Sequence, residues 1–394
     1  HRILMNNIEG RIKIEISPNP KGGLSVEIQS NRPVHASQIM IGKTPEQVLD
    51  LLPLMFSVCG IAQARGSLKA IMQQLDIPTS QAHEKAREML VISETAREHL
   101  FRIFMDWPEL FNIPRNNQLF PFITSLIKRM SEALFKSAKA FRLDSELQLD
   151  RPQLNQLIDE IEQQLSSHVF QCPVDEWLTL KGIEEMTLWA TGNQGIAAMS
   201  IQAILNNNWQ GQGYLLSSAL PELDVEKLTE RFHHCSAKHF IEQPDWDGQL
   251  YETTPLSRQK SHPMIQSLQH SHGNTLITRW VARLVDLATI PQQLRRILHE
   301  INGSTDDTFK PTAAHGIAQI EAARGKLIHH VEIEHDQITQ YQILAPTEWN
   351  FHPKGLIQQS LSHIRSSDKK EIEHIARLLI NAIDPCVGYD LRVH

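Results

Sequence analysis

The chain has 394 residues, enough for one large domain or two ordinary ones with a substantial core. Hydrophobic residues make up 41% and charged residues 21%, as in globular proteins. No apolar run reaches about 18 residues, and the start shows no secretory signal pattern. We therefore expect a cytoplasmic protein without a membrane span. A net charge of −7 and the lack of a basic stripe argue against nucleic-acid binding.

The first predicted element is a β hairpin over residues 8–28. Its first arm alternates isoleucines at 8, 12, 14 and 16, residues 18–23 form a turn, and the second arm alternates again from Leu24 to Ile28. A helix then begins at Thr44, because a threonine N-cap is followed by Pro45 and by Gln47 at the capping-box position. Its apolar stripe continues to Cys59, and Pro53 is expected to divide or kink it.

Helical periodicity marks most of the remaining chain. The predicted segments are 81–104, 122–141, 151–169 and 274–301, the last interrupted near Pro291, with a loop-rich middle between the third and the fourth. A second hairpin is predicted over 326–343, with a turn at 335–337. A final helix begins after Asp368, with Glu371 three residues on, and ends at 384–385. The pattern predicts a mainly α (α+β) fold, and we expect residues 1–394 to form a single domain.

Four cysteines, at 59, 172, 235 and 386, lie far apart and form no disulfide framework, which suits a reducing cytosol. From spacing alone, Cys59 and Cys386 are most simply buried structural thiols at helix ends. Arg324 and Thr347 flank the second hairpin, so they are suited either to a small anion or to a surface ion pair and a strand end.

Histidines 233, 234 and 239 lie close to Cys235 and suggest a metal site. Leu228, Phe232 and Cys235, however, share one helical face. That pattern favours a core position for Cys235 and solvated histidines. Cys172 is interpreted as structural.

Four motifs resemble those of the large subunits of nickel-iron hydrogenases. Residues 321–329 (EAARGKLIH) are similar to EAPRGxLxH, and 345–350 (APTEWN) with Pro353 to VPTxWNxxP. Residues 251–258 (YETTPLSR) are similar to ETGPLAR, and 8–10 (IEG) to IEGH. Their order, from residue 8 to residue 389, covers nearly the whole chain. The resemblance implies a large-subunit-like helical bundle with peripheral β hairpins.

The departures from these motifs concern the metal ligands. Ala62 stands where RxCGxC has its second cysteine, and Tyr389 where DPCxxCxxH has its second. In the family those second cysteines bridge nickel and iron, and the first ones bind nickel terminally. The family's histidines fall at Gly66 and at Arg392. The glutamate of its RGxE motif falls near residue 37, and Ala323 replaces a proline.

The resemblance implies that an iron carrying two cyanides and one carbon monoxide is held beside residues corresponding to Arg324, Ala345, Pro346 and Thr347. The pattern CGIAQAR with DPCVxY looks like the HupK/HoxV type of hydrogenase accessory protein. We therefore predict a maturation scaffold in which Cys59 holds the Fe(CN)2CO unit transiently together with residue 386.

Nickel is not expected under this hypothesis. The implied partners are chaperones of the HypC and HypD type and a hydrogenase large-subunit precursor. One alternative is a divergent large subunit that acts as an H2-converting oxidoreductase. A second is a metal-free interaction module, like the related quinone-site subunit of respiratory complex I.

Overall fold

The computed structural model describes residues 10–33, 36–56, 58–303, 308–309 and 315–394. Helices dominate, and the predicted mainly α fold is confirmed. The α-helices are Pro45–Met55, Gly60–Gln74, Gln81–Phe101, Trp107–Leu110, Phe120–Leu134, Arg151–Gln164, Val174–Trp177, Ile183–Thr191, Ile196–Asn206, Val225–His233, Ala237–Glu242, Pro255–Arg258, Pro263–His272, Leu276–Ala288, Ile290–Gly303, Pro346–Asn350, Leu356–Ser362 and Lys369–Ile383. The strands are Arg11–Pro18, Leu24–Ser30, Thr79–Ser80, Ser218–Ala219, Tyr251–Glu252, Thr308–Phe309, Ile317–Ala322, Gly325–Glu334, Gln337–Leu344 and Gly388–Val393.

The first hairpin belongs to a three-stranded sheet. Arg11–Pro18 pairs antiparallel with Leu24–Ser30 and, on its other edge, parallel with Gly388–Val393. The predicted inward face is present, since Ile12, Ile14 and Ile16 are all buried. Residues 8 and 9 of the predicted hairpin lie outside the described residues. The third strand was not predicted, and it brings the two ends of the described chain together.

The second hairpin is also part of a three-stranded sheet. Ile317–Ala322 joins Gly325–Glu334 and Gln337–Leu344, all antiparallel. Both turn residues of the hairpin, His335 and Asp336, have positive φ angles, as a two-residue hairpin turn of this kind requires.

The helix predicted from Thr44 has the expected capping box, but it ends at Met55. The prediction that Cys59 continues the apolar stripe of this helix was wrong. Instead Cys59 is the N-cap of the next helix, Gly60–Gln74, in the left-handed conformation with φ 57°. The helical spacing of the apolar side chains hid this break, and residue 57 lies outside the described ranges.

Other predicted bounds also shift. The helix Gln81–Phe101 continues as a π-helical turn, Arg102–Asp106, and the helix Phe120–Leu134 ends well before 141. The predicted loop-rich middle contains the helices Ile183–Thr191 and Ile196–Asn206, so that prediction was wrong.

The helix Leu276–Ala288 is buried at every position, which marks it as a central core helix. Trp280 stacks on Trp107 with ring centroids 4.3 Å apart. Polar residues of the same helix have partners inside the protein; Arg279, for example, lies 3.0 Å from Glu252. Within the described ranges, no helix has the length and apolar character needed to cross a membrane.

Candidate functional site

Cys59 lies at the start of a helix rather than at the end of one. It is 3% exposed, and its side chain forms no cap for the helix. The carboxylate of Glu94 caps it instead, because it accepts hydrogen bonds from the backbone N–H groups of Ile61 and Ala62, each at 2.9 Å. The thiol is therefore left available at a helix N-terminus.

Cys386 follows the helix Lys369–Ile383. That helix ends at Asp384, whose φ of 66° turns the chain sharply. The backbone N–H of Cys386 donates to Thr347 Oγ1 at 3.0 Å, which ties this segment to the start of the helix Pro346–Asn350. The structure thus brings Cys386 and Thr347 together.

The two thiols are hydrogen-bonded to each other, although they lie far apart in the chain. This bond raises the pKa of Cys59, and burial raises it further. The same bond lowers the pKa of Cys386, a shift that Arg324, Arg32 and the Thr347 side chain support. Cys386 is therefore the more readily ionised thiol of the pair.

Arg324 sits against this pair in the turn between two strands. Its Nη1 lies 3.5 Å from Cys59 Sγ and 3.0 Å from Glu98 Oε2, and its Nε lies 3.1 Å from Asp384 Oδ2. Burial by itself lowers the pKa of Arg324, but Asp384, the thiol pair and Glu98 raise it well above its ordinary value. The guanidinium is therefore a permanent positive charge beside the thiols.

The turn that carries Arg324 is fixed by backbone contacts. Gly325 has φ +130°, and a Cβ there would lie 2.1 Å from the carbonyl oxygen of Thr253, so only glycine fits. The guanidinium of Arg258 donates to the carbonyls of Ala322 and Ala323, both at 2.8 Å. The segment 251–258 therefore acts as a clamp on the Arg324 turn.

Asp384 balances several buried guanidinium groups. Its carboxylate lies 2.8 Å from Arg102, 3.1 Å from Arg324 and 3.6 Å from Arg283. Burial favours protonation, but these cations prevail and hold the pKa of Asp384 at about 2. Asp384 therefore remains a carboxylate and orients Arg324.

A cavity of about 70 Å³ opens onto both thiols. Ala345 and Pro346, two of the predicted site residues, line it, and so do several apolar side chains. Arg324 and Thr347 act on the sulfurs from beside it. Arg32, paired with Glu348, adds a cation to the wall. The volume holds a few water-sized groups, so it suits a small ligand set of diatomic molecules.

The residues that stand in place of the expected metal ligands have packing or hydrogen-bonding contacts of their own, or line a cleft. Ala62 is fully buried, and its N–H is bound to Glu94. Gly66 provides space for the ring of His329, which a Cβ there would meet at 2.6 Å. Tyr389 lines a second cleft, of about 440 Å³, which also reaches Cys386.

Ser37, which lies near the position expected for the glutamate of the RGxE motif, also has a structural role. The Ser37 hydroxyl donates to the carbonyl oxygen of Tyr341 at 2.8 Å, and the residue lines the cavity. A serine at this position supplies a hydrogen bond to the strand and no carboxylate.

Comparison with known proteins agrees with this geometry. The Nickel-dependent hydrogenase family matches residues 217–390. The hydrogenase expression/formation protein HoxV of Cupriavidus necator is 26% identical over 379 residues, covering 92% of this chain and 91% of its own length. The hydrogenase expression/formation protein HupK of Rhizobium leguminosarum bv. viciae is 24% identical over 393 residues, covering 98% and 96%. Together these matches support a protein of the HupK/HoxV type, similar to nickel-iron hydrogenase large subunits.

Solved structures of hydrogenases have the same fold as this chain. The Ni-Fe-Se hydrogenase from D. vulgaris Hildenborough, in its as-isolated oxidized state, aligns with a TM-score of 0.66 at 16% identity. The alignment covers 95% of this chain and 98% of that one. The predicted large-subunit-like architecture is therefore confirmed.

The sequence analysis did not identify the two glutamates that lie beside the thiol site. Glu94 and Glu98 both reach the site from one helix, and both are buried. Burial raises the pKa of Glu94 to about 7, although Arg97 and the two backbone N–H groups oppose the shift. Two glutamates four residues apart on a helix, on the same face as Leu90 and Val91, were the available signal.

Cys172 and Cys235 do not join the thiol pair. Cys172 is half-buried and Cys235 is exposed, so the prediction that Cys235 lies in the core was wrong. The helix that was expected to bury it ends at His233, and Leu228 and Phe232 alone form its inner face.

Proposed function

We propose that this chain takes part in hydrogenase maturation by holding an Fe(CN)2CO unit as a transient cargo on Cys59 and Cys386. The observation that carries the proposal is the buried thiol pair that opens onto a small cavity with Arg324 alongside. Thiolates are soft ligands that suit iron, and the cation offsets their negative charge.

The residues present have distinct tasks in this proposal. Cys386 supplies a thiolate before the cargo arrives, and Cys59 loses the shared proton when iron binds, because metal ligands must be deprotonated. Arg324 is suited to donate charge-assisted hydrogen bonds to cyanide, while Ala345 and Pro346 form the wall. Ala62 and Tyr389 replace the bridging thiols, so iron is not tied to nickel and the cargo remains releasable.

Chaperones of the HypC and HypD type are the proposed donors, and a hydrogenase large-subunit precursor is the proposed recipient. Both follow from the resemblance and from the names of the relatives, which are hydrogenase expression/formation proteins.

Infrared spectroscopy of anaerobically purified protein, produced together with the maturation machinery, tests the proposal. Cyanide and carbonyl stretching bands are expected, together with about one iron and no stoichiometric nickel. Cys59→Ala and Cys386→Ala should abolish the bands, and the matched control Cys172→Ala should retain them. Absence of the bands from the wild-type protein contradicts the proposal, and nickel with H2 uptake supports the oxidoreductase alternative instead.

A further inference from the structure

Three side chains outside the thiol site converge beside the second sheet. His330 and Glu332 lie on the strand Gly325–Glu334, and His233 is the last residue of the helix Val225–His233. Their ligand atoms all lie within 4.8 Å of one another. We propose that these three residues form a second metal site, for a divalent transition-metal ion of the Zn²⁺ class.

The backbone explains why these side chains meet. His330 and Glu332 are two residues apart on one strand, so both point to the same face of the sheet. A register irregularity follows directly between Glu332 and Ile333, and such bulges re-aim side chains. His233 comes from a helix C-terminus, where the helix dipole favours a cation.

The hydrogen bonds of His330 prepare it for metal binding. Gln342 lies opposite it in the strand register. The Gln342 amide nitrogen donates to the carbonyl of Phe232 at 3.2 Å, so its Oε1 faces His330 Nδ1 at 2.8 Å. Nδ1 therefore carries the hydrogen, and Nε2 keeps a lone pair. Metal-binding histidines are held in this way by an acceptor on their other nitrogen.

The lone pair of His330 points to a missing partner. Its Nε2 is buried and has no hydrogen-bond partner in the described structure, and a buried polar atom without a partner is costly. The imidazole ring also stacks on Phe232, with centroids 5.1 Å apart and planes at 7°. A rigid, buried imidazole with a free lone pair is therefore aimed at the cluster.

The two remaining ligands can adjust around it. The side chains of His233 and Glu332 are 45% and 27% exposed, and they already contact each other. Two imidazoles and one carboxylate form a donor set that zinc uses when one position stays open to solvent. No cysteine of the thiol pair takes part.

Titration with Zn²⁺ alone tests the proposal. The protein should be untagged and carry Cys59→Ser and Cys386→Ser, which remove the thiol pair as a competing site. Calorimetry in the presence of a competing chelator should show one equivalent of Zn²⁺. Affinity should fall at least about tenfold in His233→Gln and in Glu332→Gln. The neighbouring exposed residues supply matched controls, because His234→Gln and Cys235→Ser should bind Zn²⁺ as the parent does.

Thermal unfolding provides a second measurement, since a metal that binds only the folded state raises the melting temperature. Zn²⁺ should raise it in the parent and in His234→Gln, but much less in Glu332→Gln. Absence of stoichiometric binding, or binding that both ligand variants retain, overturns the proposal. Binding lost in Cys235→Ser but kept in Glu332→Gln also overturns it. The infrared bands of the thiol site are read independently on the wild-type protein.

Discussion

Cys59 and Cys386 differ in acidity although they share one hydrogen bond. The bond and nearby cations lower the pKa of Cys386, whereas the same bond and burial raise the pKa of Cys59. The thiolate is the reactive form. Nucleophilic reactivity should therefore be concentrated at Cys386.

Alkylation of the native protein tests this asymmetry. Iodoacetamide should modify Cys386 before Cys59, below the pH of about 8.5 at which an ordinary thiol titrates. Cys59→Ala removes the hydrogen bond that contributes most to lowering the pKa of Cys386. The pKa should rise, and alkylation at pH 7 should slow. Peptide mass spectrometry separates each site from the exposed Cys235, and Cys172→Ala is the control. Unchanged or faster alkylation of Cys386 in Cys59→Ala contradicts the assignment.

Gly325 is the glycine on which the Arg324 turn depends. Gly325→Ala places a Cβ against Thr253 in a backbone conformation that strains any side chain. We expect a loss of at least about 2 kcal/mol in the free energy of unfolding, measured by urea denaturation. Gly211→Ala is the control, because a Cβ there meets nothing within 4 Å, and its effect should stay within about 0.5 kcal/mol. Equal stability of the two variants contradicts this account.

At the scale of elements, Asp384 joins three parts of the chain that carry no backbone pairing with one another. Arg102 comes from a π-helical turn, Arg283 from the central helix and Arg324 from a strand turn. A buried carboxylate at the end of the helix Lys369–Ile383 lies within ion-pair distance of all three guanidinium groups. Asp106 and Glu98 provide further negative charge to Arg102 and Arg324. Loss of one buried partner leaves uncompensated charge, which is strongly destabilising.

Asp384→Asn tests this junction through its pH dependence. The folded pKa of Asp384, about 2, lies below the ordinary value of about 3.9. The stability it contributes is therefore present above about pH 4 and is lost as the pH falls towards 2. The variant should lose about 3 kcal/mol at pH 7, and its gap to the wild type should narrow by roughly 2 kcal/mol on acidification.

Chemical denaturation at several pH values measures both effects. Asp390→Asn is the control, because its pair with Arg11 is half-exposed and such pairs contribute about 0–1 kcal/mol. A gap between Asp384→Asn and the wild type that does not change with pH contradicts the assigned charge state.

Local patterns predicted the elements whose signals are local. The caps at Thr44 and Asp368 are present because their side chains bond to backbone N–H groups within one turn. The strand Gly388–Val393 escaped prediction, because its partner begins at Arg11 and its side chains are exposed or half-buried. Likewise, the left-handed Cys59 was invisible to helical spacing. Pairings and charges assembled from distant parts of the chain leave no local periodic signal.

Some residues of the candidate site could be predicted from the sequence, and others could not. The resemblance indicated Cys59, Cys386, Arg324 and the wall at 345–347, and the structure brings them together around one small cavity or directly beside it. The resemblance did not indicate Glu94 and Glu98, the buried carboxylates beside the thiol pair and Arg324. Glutamate in a helix is most often a solvated residue.

At the scale of the whole molecule, the parallel pairing of Arg11–Pro18 with Gly388–Val393 closes the described chain on itself. Cys386 lies two residues before that last strand, so the strand anchors the segment that carries it. The first sheet is therefore a support for the thiol site as well as a surface hairpin.

A variant that ends at Val387 tests this support. Hydrogen exchange should show faster exchange in Arg11–Pro18, because one of its two neighbouring strands is gone, while the distant strand pair of Gly325–Glu334 keeps its protection. Cys386 should also lose its preferential alkylation. Unchanged protection of Arg11–Pro18 contradicts a supporting role for the last strand.

The same pairing determines when, during synthesis, the first sheet and the thiol pair can be completed. A ribosome makes Arg11–Pro18 long before Gly388–Val393, so the outer edge of the early strand stays unpaired until the later strand has been made. Cys59 likewise waits for Cys386. No nascent chain short of Cys386 possesses the thiol pair. Under the proposed function, loading with cargo is confined to polypeptides whose synthesis has passed that point, and unfinished chains would not capture the delivery machinery.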